Sequence, residues 1–425
     1  MTHANACDTG PELTSSHSEV LSRAAICAVL LAMFTITLGY GIALPILPLL
    51  IERDVAGVTA AALSRHTGFL TGAYIMAIFL FAPLWGRASD RWGRRPVMII
   101  GLGGFALASI WMALASSISL LYSARFMAGI FAAAITPVAY AIVGDHAPSR
   151  EWRARRFAIV NAVGTAGLFI GPVLSGVAFR ILNGTSTSSA WTFAAPFLMI
   201  SGLALAAAWA IYIFAPRTRN VNSNSAAAQT TKYSRWVILR LWIVALATAI
   251  AVGSFEVGIA LKGKQILAFD AYELGMMFAE CSLVMFVVQA VVFSPLVKPD
   301  STRLLIAPAL VLLAAGLIGV KFADSYVAMT VVIALIAGSA GILSPIVTYW
   351  VSLAAGDSPG AQLGQATAAA SLGQAIGSVL GGVLFVSPQA ENAPFLVAAV
   401  VVLTAFAASI GLPSALLAAV DAKSR

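Results

Sequence analysis

Apolar residues run along this chain in stretches of membrane length. Twelve such runs cover approximately 24–50, 67–85, 96–115, 118–143, 155–180, 191–214, 236–260, 272–294, 303–322, 326–353, 362–386 and 393–418. A bilayer core needs roughly 20 apolar residues per helix. Polar residues gather in the short breaks between runs. The longest break, Pro216 to Arg235, carries Asn222-Ser-Asn-Ser225 and Gln229-Thr-Thr-Lys232 and splits the runs six and six. Its composition suits a flexible linker lying in water. The pattern predicts an all-α integral membrane protein: a tail over 1–23, a six-helix bundle over 24–215, a linker over 216–235, a second six-helix bundle over 236–418 and a tail over 419–425.

Charge adds orientation. With a cytoplasmic N-terminus, 18 of the 25 Lys and Arg residues fall on inner segments and six on outer ones, with Arg125 inside a span. By the positive-inside rule both termini are expected in the cytoplasm. The net charge of +8 therefore reads as an orientation signal, with no nucleic acid implied. The halves share a weak repeat: Gly167, Gly171, Gly176 and Phe179 correspond to Gly373, Gly377, Gly382 and Phe385 at a constant offset of 206.

The break after the second run is Gly86-Arg-Ala-Ser-Asp90-Arg91-Trp-Gly93-Arg94-Arg95, with five charged residues in ten. It resembles the loop between helices 2 and 3 of major facilitator superfamily transporters, and the likeness covers nearly the whole chain. The fold this implies is twelve helices in two pseudo-symmetric bundles, with substrate bound near the midplane between them. The resemblance assigns Asp90 to the N-terminus of span 11, where the helix dipole favours a carboxylate. It gives Gly86 a close approach and Arg94 and Arg95 a hold on carboxylates or lipid phosphates. Asp145, ending span 4, is a candidate ionic partner. A solvated charged loop is the plainer reading.

Span 5 reads Gly164-Thr-Ala-Gly167-Leu-Phe-Ile-Gly171-Pro172-Val-Leu-Ser175-Gly176. Small residues four apart let helices pack closely in lipid. The same pattern resembles the span 5 motif of drug/proton antiporters, the multidrug and tetracycline-type efflux branch, which implies a proton-tight contact with a helix of the other half. The Pro45 and Pro48 ending of span 1 also resembles that branch. Where several of its members carry an acidic residue, this chain has Phe34, Thr35, Ile36 and Thr37. That moves an expected proton site to the C-terminal half or to an Arg125-linked network.

Ionisable groups inside spans are functional candidates by default. Arg125 lies about six residues into span 4, roughly 9 Å below the outer surface at 1.5 Å per residue; its Arg-x-x-x-Gly129 spacing resembles a family motif linked to proton transfer, and snorkelling is the alternative. Glu280, nearer mid-depth in span 8, is the first candidate for the coupling proton, and Glu256, in the outer part of span 7, the second. Tyr40, Tyr74, Phe131, Tyr140, Asn161, Phe255, Gln289 and Tyr349 lie in spans that line the family's central cavity.

Only 10% of residues are charged and 60% are hydrophobic, unlike a soluble domain. The three cysteines and four histidines are scattered, so no disulfide framework or metal site is expected. With no phosphate-binding loop, no nucleophile–base pair and no cofactor, the expectation is a non-enzymatic transporter driven by the proton gradient. The resemblance implies efflux of a small amphipathic substrate by a monomer in lipid, in the cytoplasmic (inner) membrane. A dedicated metabolite exporter, an importer, or a sensor or scaffold that lost transport remain open.

Overall fold

The structure, a computed structural model, describes residues 21–55, 57–146, 150–183, 189–216, 235–292, 299–354, 359–385, 391–412, 414 and 416. Among these residues the chain is helical, with no strand. The N-terminal half holds α1 (Arg23–Asp54), α2 (Ala60–Trp92), α3 (Arg94–Leu114), α4 (Ile118–Ala132), α5 (Ile135–Asp145), α6 (Arg150–Asn183) and α7 (Ser189–Phe214). The C-terminal half holds α8 (Arg235–Gln265), α9 (Ala271–Val292), α10 (Ile306–Gly319), α11 (Tyr326–Ala354), α12 (Pro359–Leu384) and α13 (Ala393–Ser409). With α4 and α5 forming one span, these are the twelve spans of a two-bundle fold. Ten are long and apolar enough to cross a bilayer among the described residues, and α12 and α13 supply two shorter apolar segments, Ala368–Leu384 and Ala393–Ser409.

Two departures from the apolar pattern have local causes. The charged stretch after span 2 is mostly helix: α2 continues to Trp92, and the turn is Gly93 alone at φ 94°. Extending a formed helix into water is cheap, and glycine ends it because a left-handed residue costs it little. Span 4 breaks at Ala133–Ala134, where Ala134 N–H bonds Phe131 O at 3.2 Å. Pro137 follows within the first turn of α5 and has no N–H to continue the ladder.

Each half has its own buried core. Leu44 of α1 packs in the C-terminal core and Ala375 of α12 in the N-terminal one. Apolar residues such as Leu107, Leu114, Val327 and Val400 stay exposed on the periphery, as lipid contact requires. The pseudo-symmetry reaches side chains. Arg53 at the end of α1 donates to Ala115 O (2.7 Å) after α3, and Lys262 near the end of α8 donates to Val320 O (2.8 Å) after α10. Each cation satisfies carbonyls that a helix C-terminus leaves open.

The halves close on each other at the face opposite the basic α2–α3 turn. Lys264 pairs with Glu52 at 3.2 Å, and Gln265 donates to Ser64 Oγ at 3.1 Å. A methyl group added at Gly68 of α2 would lie 2.7 Å from Gly382 Cα in α12, and one at Gly176 of α6 3.1 Å from Tyr272 Cα in α9. The glycine repeat therefore does matching work in both halves: Gly167 and Gly171 bring α6 onto α1, and Gly373 and Gly377 bring α12 onto α8.

Candidate functional site

Three spans meet in the middle of the molecule through one hydroxyl. Tyr40 stands between Gly39, which faces Phe105 of α3, and Gly41, which faces Leu168 and Pro172 of α6. The small neighbours let α1 sit tightly in its own bundle while Tyr40 reaches across to α8. Its hydroxyl donates to Glu256 Oε2 at 2.7 Å. Gln374 of α12 donates to the same oxygen at 3.0 Å and lies 3.4 Å from the Tyr40 hydroxyl. Glu256 is 8% exposed. The outer-part position read from the sequence suggests a mouth, but the fold seals this carboxylate between α1, α8 and α12.

Behind Tyr40 the charge continues. Tyr40 and Tyr74 stack with centroids 5.3 Å apart, and the Arg125 guanidinium lies 4.6 Å from the Tyr74 ring and 5.8 Å from the Tyr40 ring. Arg125 is only 4% exposed. A cation over aromatic faces is held by the ring quadrupole. The fold thus joins Arg125, Tyr74, Tyr40 and Glu256, and adds Gln374, which sequence reading missed. A lone amide in an apolar span carries no pattern; only its register with Gly373 and Gly377 pointed to the same helix.

Beside Glu256 lies a narrow cavity lined by both halves. Leu44 and Pro172 line it from one side, and Phe255, Phe278 and Met285 from the other, with Glu256 in the wall. One carboxylate among apolar and aromatic surfaces suits an amphipathic molecule.

The other expected residues divide. Glu280 is half-buried and bonds Thr330 of α11, within its own half. Gln289 accepts from Thr165 across the halves at 3.3 Å, and the Thr165 hydroxyl also donates to Asn161 O at 3.1 Å. Phe131 packs on Trp85, Tyr140 on Phe157 and Tyr349 on Trp350, each inside its own half.

On the basic face, Arg94 is the centre of a cluster. It donates to Asp90 Oδ1 (2.5 Å), Ser89 Oγ (2.6 Å) and Asp145 Oδ2 (3.1 Å), tying α2, α3 and α5. Arg95 bonds Tyr212 O and covers the Tyr212 ring at 4.8 Å, while Arg91 is exposed. A methyl group added at Gly86 would meet nothing among the described residues, so the expected close approach there is not seen, and its carbonyl accepts from the Ser89 hydroxyl at 2.7 Å. The expected Asp90 contact falls at the start of span 11, where residues 355–358 lie outside the described residues.

The span 5 motif splits between two partners. Gly167 and Gly171 face α1, in the same half, with a methyl at Gly171 2.7 Å from Leu38 O. Gly164 is looser, 3.6 Å from Thr37. Gly176 and the Pro172 carbonyl face α9 of the other half, where Gly275 lies against that carbonyl, while the Pro172 ring lies against Gly41 of α1; the Ser175 hydroxyl is committed to Pro172 O at 2.9 Å. Helix periodicity explains the division, since residues 171 and 176 lie on different sides of α6.

The Major Facilitator Superfamily profile matches residues 29–382. The chain is 25% identical over 357 residues to Multidrug resistance protein 1 of Bacillus subtilis (strain 168), covering 83% of this chain and 87% of that protein. It is 36% identical over 179 residues to the class E tetracycline resistance protein of Escherichia coli, covering 42% and 41%. The crystal structure of the human organic anion transporter MFSD10 (TETRAN) superposes with a TM-score of 0.69 at 20% identity, over 91% of this chain and 99% of that one.

Proposed function

The chain belongs to the Major Facilitator Superfamily, and on that premise we propose that it is a secondary transporter that expels amphipathic small molecules in exchange for protons. It is a multi-pass membrane protein and not an enzyme. Likeness to multidrug and tetracycline resistance proteins supports drug efflux. The observation that carries the reading is the Tyr40–Glu256–Gln374 bridge in the wall of the shared cavity.

Ionised Glu256 accepts two hydrogen bonds, one from the opposite half. Such charge-assisted bonds are about twice as strong as neutral ones, so ionised Glu256 holds the halves together in the state seen here. A proton on the carboxyl, or a cationic group of the substrate beside it, competes with Tyr40 and loosens the bridge. Proton and substrate then occupy Glu256 in turn, which is the requirement for exchange. The Arg94–Asp90–Asp145 cluster opposes this at the basic face, where its making and breaking biases the other closure. The Lys and Arg asymmetry supports cytoplasmic termini in the cell membrane, and a cavity completed within one chain supports a working monomer.

The test is uphill ethidium transport by purified protein in proteoliposomes. An imposed pH gradient should drive accumulation, and a protonophore should abolish it. Equal transport with and without the gradient would remove proton coupling.

A further inference from the structure

We propose that Arg87 and Arg91, at the end of α2, hold the phosphate of an anionic phospholipid. Arg65, Phe69, Leu80, Leu84, Arg87 and Arg91 of this helix are all exposed. Their steps of three, four and eleven residues keep them on one face of a 3.6-residue period. The neighbouring faces are taken. Gly68 and Gly72 lie against α12, and the Tyr74 carbonyl and the Phe81 ring lie against Gly129 and Phe126 of α4. The exposed stripe is the side of α2 left for lipid.

The stripe changes character toward the basic face. Phe69, Leu80 and Leu84 suit acyl chains. Arg87 follows Leu84 by about 4.5 Å along the axis, and Arg91 lies about 6 Å further, at 1.5 Å per residue. Neither arginine has a carboxylate partner among the described residues, because Asp90 and Asp145 both pair with Arg94. Like charges four apart on a helix repel. A phosphate between them replaces that repulsion with two charge-assisted contacts, each of the kind guanidinium makes well. Trp92, exposed beside them, is a residue type favoured at headgroup depth. The sequence of apolar side chains, then two free cations, then an interfacial ring matches a phospholipid lying along the helix. A zwitterionic headgroup brings its own cation to the same place, so the pair selects a lipid of net negative charge.

Native mass spectrometry of the detergent-purified full chain, titrated with phosphatidylglycerol or with phosphatidylcholine of the same acyl chains, tests this and needs no transport. The first phosphatidylglycerol should bind about ten-fold more tightly than phosphatidylcholine. Arg87→Gln combined with Arg91→Gln should remove that preference, and lysine at both positions should keep most of it. Both side chains are exposed, so these variants should fold. Arg155→Gln combined with Arg156→Gln removes the same charge from α6 and should leave the preference intact. Equal binding of the two lipids by the unaltered protein, a full preference in the Arg87 and Arg91 glutamine variant, an equal loss in the Arg155 and Arg156 variant, or displacement of the lipid by inorganic phosphate would each overturn the assignment.

Discussion

Replacing Gly68 with alanine should open the face that the structure shows closed. The added methyl would lie 2.6 Å from Ser378 O, 2.7 Å from Gly382 Cα and 2.9 Å from Gly382 N. All three are backbone atoms, so no side chain can rotate away. Ordinary contact begins near 3.4 Å, so α2 and α12 must part by about 0.7 Å, and overpacking of this kind costs roughly 1–3 kcal/mol. The clash exists only while the two helices touch, so the cost falls on this state and not on the alternative one. At 1.4 kcal/mol per ten-fold, the closed-to-open ratio should fall by roughly 5- to 150-fold. Spin labels at Ala60 and Ile266, both exposed at this face on opposite halves, would report the change as a longer pair distance by double electron–electron resonance, with Cys7, Cys27 and Cys281 replaced by alanine. Gly382→Ala should behave alike, and Gly86→Ala, which meets nothing, should be silent. An unchanged distance distribution in Gly68→Ala, with wild-type efflux, would refute the reasoning.

Glu256→Gln should lose gradient-driven efflux yet retain substrate exchange in proteoliposomes, while Glu280→Gln, bonded within its own half, should lose much less; the reverse order would transfer coupling to Glu280. Gly171→Leu should either prevent folding or leave a loosened α1–α6 contact, seen as slower efflux or a proton leak in liposomes. Lys262→Met keeps the bulk of a fully buried side chain but loses its bond to Val320 O and its 3.9 Å approach to Glu391; at about 1.5–3 kcal/mol for a charged hydrogen bond, the thermal unfolding midpoint should fall by several degrees with the efflux mechanism intact. Asp90→Asn should slow transport while leaving the protein inserted, because Asp145 still holds Arg94 when Asp90 cannot.

Much of the architecture was already present in the amino-acid order. The bilayer excludes unpaired backbone groups, so long apolar runs have to be helices, and twelve runs divided by a polar linker follow directly. The basic stretch around Asp90 and the glycines at an offset of 206 were equally plain, since loop charge and small-residue spacing act locally. Which way each helix faces was not in the sequence. Lipid and protein interior are both apolar, so a span carries little amphipathic signal to mark its buried side. Glu256 and Glu280 therefore looked alike as carboxylates in spans, with Glu280 favoured by depth. Only the packing of α1, α8 and α12 turned Glu256 toward Tyr40 and left Glu280 facing Thr330. The same rotation sent Gly171 to α1 and Gly176 to α9, brought Gln374 into the bridge, and buried Lys262 against a carbonyl. These contacts join residues far apart in the chain, where helix azimuth and crossing decide the meeting and no local pattern encodes it.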